Sequence, residues 1–80
     1  TDVIAERLEA LAAELAGLDV ATVVGDVSSA DTIAALLDAA GDRIDGLANI
    51  AGIMDGFLPP SEVDDATWER VFAVNLTAPM

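Results

Sequence analysis

The sequence predicts an α/β fold in which helices cover a doubly wound parallel sheet. Segments whose apolar residues recur every three or four positions, as on one face of a helix, alternate with short continuous apolar runs rich in β-branched residues. Such runs are typical of strands that are buried on both faces. The order of these segments is helix, strand, helix, strand, long loop, helix, which is the order that right-handed crossovers between parallel strands produce.

The first predicted element is an amphipathic helix over residues 3–16. Its large apolar residues are spaced four, three and four apart, so they share one face. They are Ile4, Leu8, Leu11 and Leu15. Gly17 follows where a helix commonly ends, because glycine adopts the left-handed conformation of a C-terminal cap without strain.

Two strands are predicted, at residues 20–24 and 46–50. The first has the sequence VATVV and is ended by Gly25 and Asp26, whereas the second has the sequence GLANI. It runs into residues 51–63, where two glycines and a pair of prolines indicate a loop. We expect the two strands to lie side by side in the same direction, so that their carboxyl ends meet at one edge of the sheet.

One helix is predicted after each strand. Ser28 or Ser29 can cap the second helix of the chain, and Gly41 follows its last apolar residue. The apolar stripe of this helix consists of Ile33, Leu36, Leu37 and Ala40. Asp64 or Asp65 can cap the last helix.

Asn75 falls on the apolar stripe of the last helix. That stripe is formed by Trp68, Val71, Phe72 and Leu76. A buried amide without partners costs about 1–3 kcal/mol, so Asn75 is expected to bond to backbone groups. Pro79 has no N–H to donate to the carbonyl of residue 75, which predicts a break in the helix at this point. An ordinary core asparagine bonded to a neighbouring loop would explain the amide but not the proline.

Charge and composition exclude several classes of function. The chain has 15 acidic residues against 3 basic ones, a net charge of −12, so we expect neither a nucleic acid nor an anionic membrane as a partner. Cysteine and histidine are both absent, which removes disulfides and the commonest metal ligands, and no metal site is expected. No apolar run reaches 18 residues, and the composition fits a soluble protein of the reducing cytoplasm.

Three groups of residues resemble the short-chain dehydrogenase/reductase family in their order and spacing. They are Gly25-Asp26-Val27, the run DGLANIAG at residues 45–52, and Val74-Asn75-Leu76. The resemblance implies that residues 1–80 are an internal segment of a single NAD(P)-binding Rossmann domain. The family's glycine-rich loop would precede residue 1, and its catalytic Ser and Tyr-x-x-x-Lys would follow residue 80. The 80 residues contain neither tyrosine nor lysine.

The resemblance also implies cofactor-binding roles for residues that follow the two strands. The Asp26 carboxylate would accept a hydrogen bond from the adenine amino group, and the Val27 N–H would meet a ring nitrogen. Asn49 would brace the sheet from within, and Ala51 and Gly52 would lie against the cofactor ribose. Taken singly, Asp26 is better explained by a tight turn or a helix cap, and Ala51 with Gly52 by a flexible exit from a strand.

Asp2 lies 24 residues before Asp26, which is the family's distance from the end of its second strand to the Asp-Val pair. An acid at that place binds the ribose hydroxyls of adenosine and disfavours a 2′-phosphate, so NAD is expected rather than NADP. The alternative is that Asp2 is the N-cap of the first helix.

Asn75 is the one catalytic residue of the family that the chain would contain. Its side chain would engage backbone groups where the helix breaks, and its carbonyl would hold a water that contacts the catalytic lysine. The implied activity is reversible hydride transfer between a nicotinamide cofactor and an alcohol or ketone, in a homo-oligomer (a dimer or tetramer). The alternative is a non-catalytic nucleotide-binding or oligomer-forming member of the same fold.

Overall fold

Three α-helices and one π-helical turn form the regular structure of the computed structural model, which describes residues 1–80. These elements are α1 (Ala5–Glu14), α2 (Ala30–Ala40), α3 (Asp65–Phe72) and the π-turn (Ala73–Thr77), which continues directly from α3. The three helices predicted from the sequence are thus confirmed, and residues 51–63 form a loop with one short turn near its end.

The chain divides into two compact units. The first comprises Thr1–Leu47 and contains α1 and α2, whereas the second comprises Ala48–Met80 and contains α3 and the π-turn. No helix combines the length and the apolar character that crossing a membrane requires.

Helix α1 is shorter than predicted at both ends. It begins after Ile4, whose N–H donates to the Asp2 carboxylate over 2.8 Å. It ends with Leu15 as the C-cap, and Gly17 adopts a φ of 109° just beyond. Leu8 is the only residue of the predicted apolar stripe that is fully buried, because α1 and α2 do not pack against each other and most of the stripe has no covering element.

Helix α2 ends as the sequence predicts. Gly41 is its C-cap, with a φ of 74°, and the Gly41 N–H donates to the Leu37 carbonyl over 3.1 Å. Ser29 is the N-cap, although its side chain makes no capping hydrogen bond. The buried residue of α2 is Thr32 and not a member of the predicted stripe, since Ile33 and the rest of that stripe remain wholly or partly exposed.

The two predicted strands are not formed. Val24 makes one isolated parallel bridge with Asp2, in which the Gly25 N–H donates to the Asp2 carbonyl over 3.0 Å. Residues 46–50 are irregular and exposed. A β-branched run becomes a strand only when a neighbouring strand accepts its hydrogen bonds, and here that neighbour is limited to the single residue Asp2.

In the first unit, Gly25 lies close to Thr32 in the first turn of α2. A Cβ atom added to Gly25 would lie 2.7 Å from the Cγ2 atom and 3.1 Å from the Cβ atom of Thr32. Thr32 is 8% exposed and branched at Cβ, so it has little freedom to move aside. Glycine is therefore required at position 25 for α2 to pack against the chain that carries the Asp2 bridge.

Helix α3 has a well-formed N-cap. The Asp64 carboxylate accepts the Thr67 N–H over 2.7 Å, so Asp64 is the cap and Asp65 is the first helical residue. Hydrogen bonds from the Thr67 side chain and the Thr67 backbone N–H lower the pKa of Asp64 from its ordinary value. The cap is thus strongest while Asp64 is ionised.

The apolar stripe predicted for the last helix does not face a core. Trp68 and Phe72 are 59% and 40% exposed, and they contact each other with ring centroids 4.4 Å apart. The buried residue is Val74, which is 4% exposed. Trp68 and Phe72 lie in α3, which contacts no element other than the π-turn, so no part of the second unit covers them.

We expect Gly25→Ala to destabilise the protein by roughly 1–3 kcal/mol, because the added methyl group overlaps Thr32. Gly46→Ala is the matched control, since a Cβ atom at Gly46 meets nothing within 4 Å. Thermal unfolding of the two variants measures the difference. Equal stability of both variants would show that the contact with Thr32 is not restrictive, whereas Thr32→Ala combined with Gly25→Ala should recover part of the loss.

We expect the Asp64 cap to make the stability of α3 depend on pH. Because folding lowers the pKa of Asp64, its contribution is present above the ordinary value of 3.8 and is lost as the pH falls through the lowered folded value. Asp64→Asn keeps an acceptor for the Thr67 N–H and should remove this dependence, while Asp64→Ala should reduce helicity at neutral pH. Circular dichroism between pH 2 and pH 7, roughly the range over which carboxyl groups titrate, tests both. An unchanged acid transition in Asp64→Asn would contradict the assignment.

Candidate functional site

In the first unit, a parallel bridge connects the segments that carry two predicted cofactor-binding carboxylates, Asp2 and Asp26. Asp2 pairs with Val24 in the parallel bridge, and Asp26 follows Val24 by two residues. The two segments run in the same direction, so Asp2 is itself part of the bridge and Asp26 lies two residues beyond it on the paired segment. This is the placement that parallel strands give to residues at a ligand-binding edge.

Asp2 has a partner for each of its carboxylate oxygens. Its Oδ1 atom accepts the Ile4 N–H over 2.8 Å, and its Oδ2 atom lies 3.5 Å from the Nη1 atom of Arg7. The hydrogen bond from Ile4 and the positive charge of Arg7 lower the pKa of Asp2. Asp2 is therefore an ionised, half-buried carboxylate at neutral pH. The N-cap of α1 is Ile4, so the alternative role of Asp2 as the N-cap itself is wrong.

Asp26 organises a tight turn, as its alternative interpretation proposed. Its Oδ1 atom accepts both the N–H and the hydroxyl of Ser28, over 2.9 and 2.7 Å, and its backbone carbonyl accepts the Ser29 N–H over 2.9 Å. Asp26 and Val27 are both half-buried. An ionised carboxylate offers about four acceptor positions, so a role in the turn is compatible with a further bond to a ligand. The turn fixes where the Asp26 side chain lies.

In the second unit, the Asn75 side chain pairs with the backbone of Ile53. The Ile53 N–H donates to the Asn75 Oδ1 atom over 2.9 Å, and the Asn75 Nδ2 atom donates to the Ile53 carbonyl over 2.8 Å. A side-chain amide thus takes the place that a peptide group of a neighbouring strand would occupy. The backbone groups that Asn75 engages are therefore the N–H and the carbonyl of Ile53. Asn75 itself is exposed, so the expectation that it is buried is wrong.

The π-turn confirms the predicted break in the last helix. The Ala78 N–H donates to the Ala73 carbonyl, five residues back, over 2.9 Å. In a regular α-helix that N–H would donate to Val74, and residue 79 would donate to Asn75, but Pro79 has no N–H. The carbonyls of Val74 and Asn75 therefore lose their α-helical donors at the position of the candidate catalytic residue.

The remaining predicted site residues of the second unit are exposed. Asn49, Ala51 and Gly52 lie in irregular chain before Ile53, and the predicted bracing of a sheet by Asn49 stays a prediction. A Cβ atom on Gly52 would lie 3.5 Å from the Asn75 Oδ1 atom, which is an ordinary contact. The protein itself therefore leaves space at Gly52 that a ligand could approach.

Sequence reasoning missed two residues that shape these sites. Arg7 is paired with Asp2, and Ile53 is the partner of Asn75. The scarcity of basic residues could have drawn attention to Arg7. Nothing in the sequence distinguishes Ile53 from other apolar residues of the loop. No group of three or more potential metal ligands is present.

Comparison with known proteins gives a consistent set of matches. A family model described as short chain dehydrogenase matches residues 1–80. A 3beta-hydroxysteroid dehydrogenase 2 of Eggerthella lenta is 44% identical over 94% of the chain and 31% of its own length. A short chain dehydrogenase/reductase of Colletotrichum higginsianum is 37% identical over 99% of the chain and 31% of its own length. A short chain dehydrogenase of Penicillium brasilianum is 51% identical over 66% of the chain and 21% of its own length.

The chain spans between 20% and 31% of the length of these and similar curated relatives. No solved structure matches the chain significantly.

We expect Asn75→Ala to destabilise the second unit by about 1–3 kcal/mol, since both Ile53 backbone groups lose their partner. Asn75→Asp should also destabilise it at neutral pH, because a carboxylate cannot donate to the Ile53 carbonyl and repels it. A protonated carboxyl can donate, so folding raises the pKa of the introduced group. The recovered stability is then present at low pH and is lost as the pH rises through that value.

Denaturant unfolding of Asn75→Asp between pH 3 and pH 7, roughly the range of carboxyl titration, measures this recovery. Asn49→Asp makes the same chemical change at an exposed position of the same unit and is the control. A stability difference between the two variants that does not change with pH would contradict the two-point pairing.

Proposed function

We propose, since the chain belongs to the short chain dehydrogenase family, that its protein is an oxidoreductase that transfers hydride between NAD and an alcohol or ketone. The observation that carries the proposal is the parallel bridge between Asp2 and Val24, which places Asp26 two residues beyond the partner of Asp2. Two carboxylates so placed can accept hydrogen bonds from the hydroxyls and the amino group of an adenosine.

The fold that supports this function is a Rossmann domain with a doubly wound parallel sheet. The Asp2–Val24 bridge is parallel, as the ends of the second and third strands of such a sheet would be. The apolar side chains of the predicted strands are largely exposed, with Val24 at 56% and Ile50 at 86%. Side chains of this kind require cover by further elements of an α/β domain.

In the first unit, we assign the adenosine contacts to Asp2, Asp26 and Val27. Asp26 accepts the adenine amino group, the Val27 N–H donates to a ring nitrogen, and Asp2 accepts the ribose hydroxyls. The ionised state of Asp2 suits the last role, because a carboxylate acts as an acceptor and repels a second anion. This is the reason for assigning NAD as the preferred cofactor.

In the second unit, we assign a positioning function to the residues around Asn75. Its side chain fixes the chain at Ile53, and the open space at Gly52, with its neighbour Ala51, suits close approach of the cofactor ribose. The Asn75 carbonyl, which has lost its α-helical donor, can hold a water as part of a proton relay. The nicotinamide supplies the hydride chemistry when it is bound.

The substrate class follows from the family and not from a pocket in this chain. The relative named as a 3beta-hydroxysteroid dehydrogenase supports an alcohol or ketone as the reacting group. We place the protein in the cytoplasm, in keeping with a composition that contains no cysteine.

A second role, as an oligomer-forming member of the fold, is favoured by α3. Trp68 and Phe72 present a contiguous aromatic surface that the second unit does not cover. Exposed aromatic pairs of this kind are typical of contact surfaces between proteins. We propose that α3 forms part of a homodimer or homotetramer contact, alongside the enzymatic function.

We expect NADH to bind the protein, in the longest available form that contains these 80 residues, and Asp26→Asn to weaken binding by about tenfold or more. The asparagine retains an oxygen acceptor for Ser28, so the turn is preserved, but its NH₂ group cannot accept a bond from the adenine amino group. Fluorescence titration with NADH measures the affinity.

Asp38→Asn is the control, because it removes the same charge from an exposed position of α2. Unchanged affinity in Asp26→Asn would refute the adenine contact. Absence of NADH binding by the unaltered protein would refute the proposed function as a whole.

A further inference from the structure

Three aspartates of the chain fold forward onto the residues that follow them. The Oδ1 atoms of Asp2, Asp26 and Asp55 each accept the N–H of the residue two positions later, over 2.8, 2.9 and 2.9 Å respectively. This turn places the side-chain carboxyl group over the peptide bond that follows the aspartate. The carboxyl carbon then lies on the same side as the nitrogen of the next residue, which is the first requirement for a bond between these two atoms.

The residue that follows the aspartate differs between the three turns. Asp2 and Asp26 are each followed by valine, whose branched side chain crowds the peptide nitrogen. Asp55 is followed by Gly56, which has no side chain and adopts a φ of 80°. The Gly56 N–H makes no hydrogen bond of its own. The nitrogen beside Asp55 is therefore the most accessible of the three.

A second Asp-Gly pair, Asp45 and Gly46, has its carboxyl group turned the other way. The Asp45 Oδ1 atom accepts the Nε and Nη2 atoms of Arg43 over 2.9 and 2.6 Å. Arg43 precedes Asp45 by two residues, so the guanidinium draws the carboxylate toward the preceding chain and stabilises it as an anion, which resists attack by a nucleophile. Asp55 is thus the one aspartate that combines a forward-facing carboxyl group with a following glycine.

We propose that Asp55-Gly56 is a site of spontaneous covalent modification, at which the turn formed by Asp55 promotes conversion of the aspartate to isoaspartate through a cyclic imide. The Gly56 nitrogen attacks the Asp55 Cγ atom and forms an N–C bond. One carboxyl oxygen leaves as water, together with the amide hydrogen and the carboxyl proton. A second water then adds to the main-chain carbonyl of the imide and breaks its bond to nitrogen, so that the chain continues through the Asp55 side chain.

The turn also stabilises the charge that the first step creates. The Phe57 N–H donates to the Asp55 Oδ1 atom over 2.9 Å, and negative charge develops on this oxygen as the nitrogen attacks. Phe57 has a φ of 61°, which bulky residues rarely adopt, and its side chain is 82% exposed. Isomerisation moves the Asp55 Cγ atom into the main chain and removes the carboxylate that holds Phe57 in this conformation. The product thereby releases strain that the unmodified turn retains.

The modification lengthens the chain close to a fixed point of the second unit. Ile53 lies two residues before Asp55, and both of its backbone groups are paired with Asn75. The added main-chain carbon therefore displaces the part of the loop that follows Ile53, including the exposed side chain of Phe57. This reaction needs no cofactor, so it is independent of the proposed function.

The test incubates the protein, in the longest available form that contains these 80 residues, in heavy-oxygen water at neutral pH. Each passage through the imide introduces one heavy oxygen atom, and peptide mapping by mass spectrometry assigns the label to Asp55, Asp45 or Asp26. Methylation by protein isoaspartyl methyltransferase measures the isoaspartate formed. In the folded protein we expect Asp55 to be labelled at least about fivefold faster than Asp45, whereas in urea, which removes the turn and the ion pair, the two rates should agree within about twofold.

Arg43→Gln tests the protection of the second Asp-Gly pair. It should raise the labelling of Asp45 in the folded protein by about twofold or more, in keeping with the strength of an exposed ion pair, and leave that of Asp55 unchanged. Equal labelling of Asp55 and Asp45 in the folded protein would overturn the proposal. Faster labelling of Asp26 than of Asp55, or a preference for Asp55 that persists unchanged in urea, would also overturn it.

Discussion

The second unit depends on the pairing of the Asn75 amide with the Ile53 peptide group. Only an amide side chain presents a donor and an acceptor in one plane, as the peptide group does, so asparagine can pair with a backbone segment in the manner of a strand. Val74 is the single buried apolar residue of this unit. Because so little hydrophobic core is present, two directional hydrogen bonds determine where the loop lies against the helix.

The first unit uses Asp2 in a comparable way, with one residue making several connections. The Asp2 carbonyl accepts the Gly25 N–H, while its carboxylate contacts the Ile4 N–H and Arg7. The residue thereby joins the start of α1 to the segment that precedes α2. The same carboxylate is the one that we assign to the cofactor, so structural and ligand-binding roles coincide in one side chain.

Local signals predicted the helices well, because caps and breakers act over a few residues. Gly41 is the C-cap of α2, Asp64 is the N-cap of α3, and Pro79 follows the break at Asn75, all as the sequence indicated. Burial and strand pairing were predicted poorly, because each depends on residues distant in the sequence. The stripe on the last helix assumed that a neighbouring element would cover Trp68 and Phe72, and α3 contacts no element other than the π-turn.

In the candidate site too, local features were predicted from the sequence and contacts between distant residues were not. The chemical types at Asp2, Asp26 and Asn75 were evident from spacing and from the family resemblance, but their partners were not. Nothing about Ile53 marks it as the partner of Asn75, since its contribution is entirely through the backbone. The turn at Asp26 was one of the alternatives that the sequence left open, and aspartate commonly forms such turns by bonding to N–H groups that follow it.

The π-turn at Ala73–Thr77 is equivalent to an α-helix that has received one extra residue. Removal of a single residue from this turn would restore continuous helical winding and return every downstream side chain to a different angular position around the axis. The released carbonyls would then regain their donors wherever proline did not prevent it. The length of this segment thus determines which carbonyls near Asn75 have a helical donor.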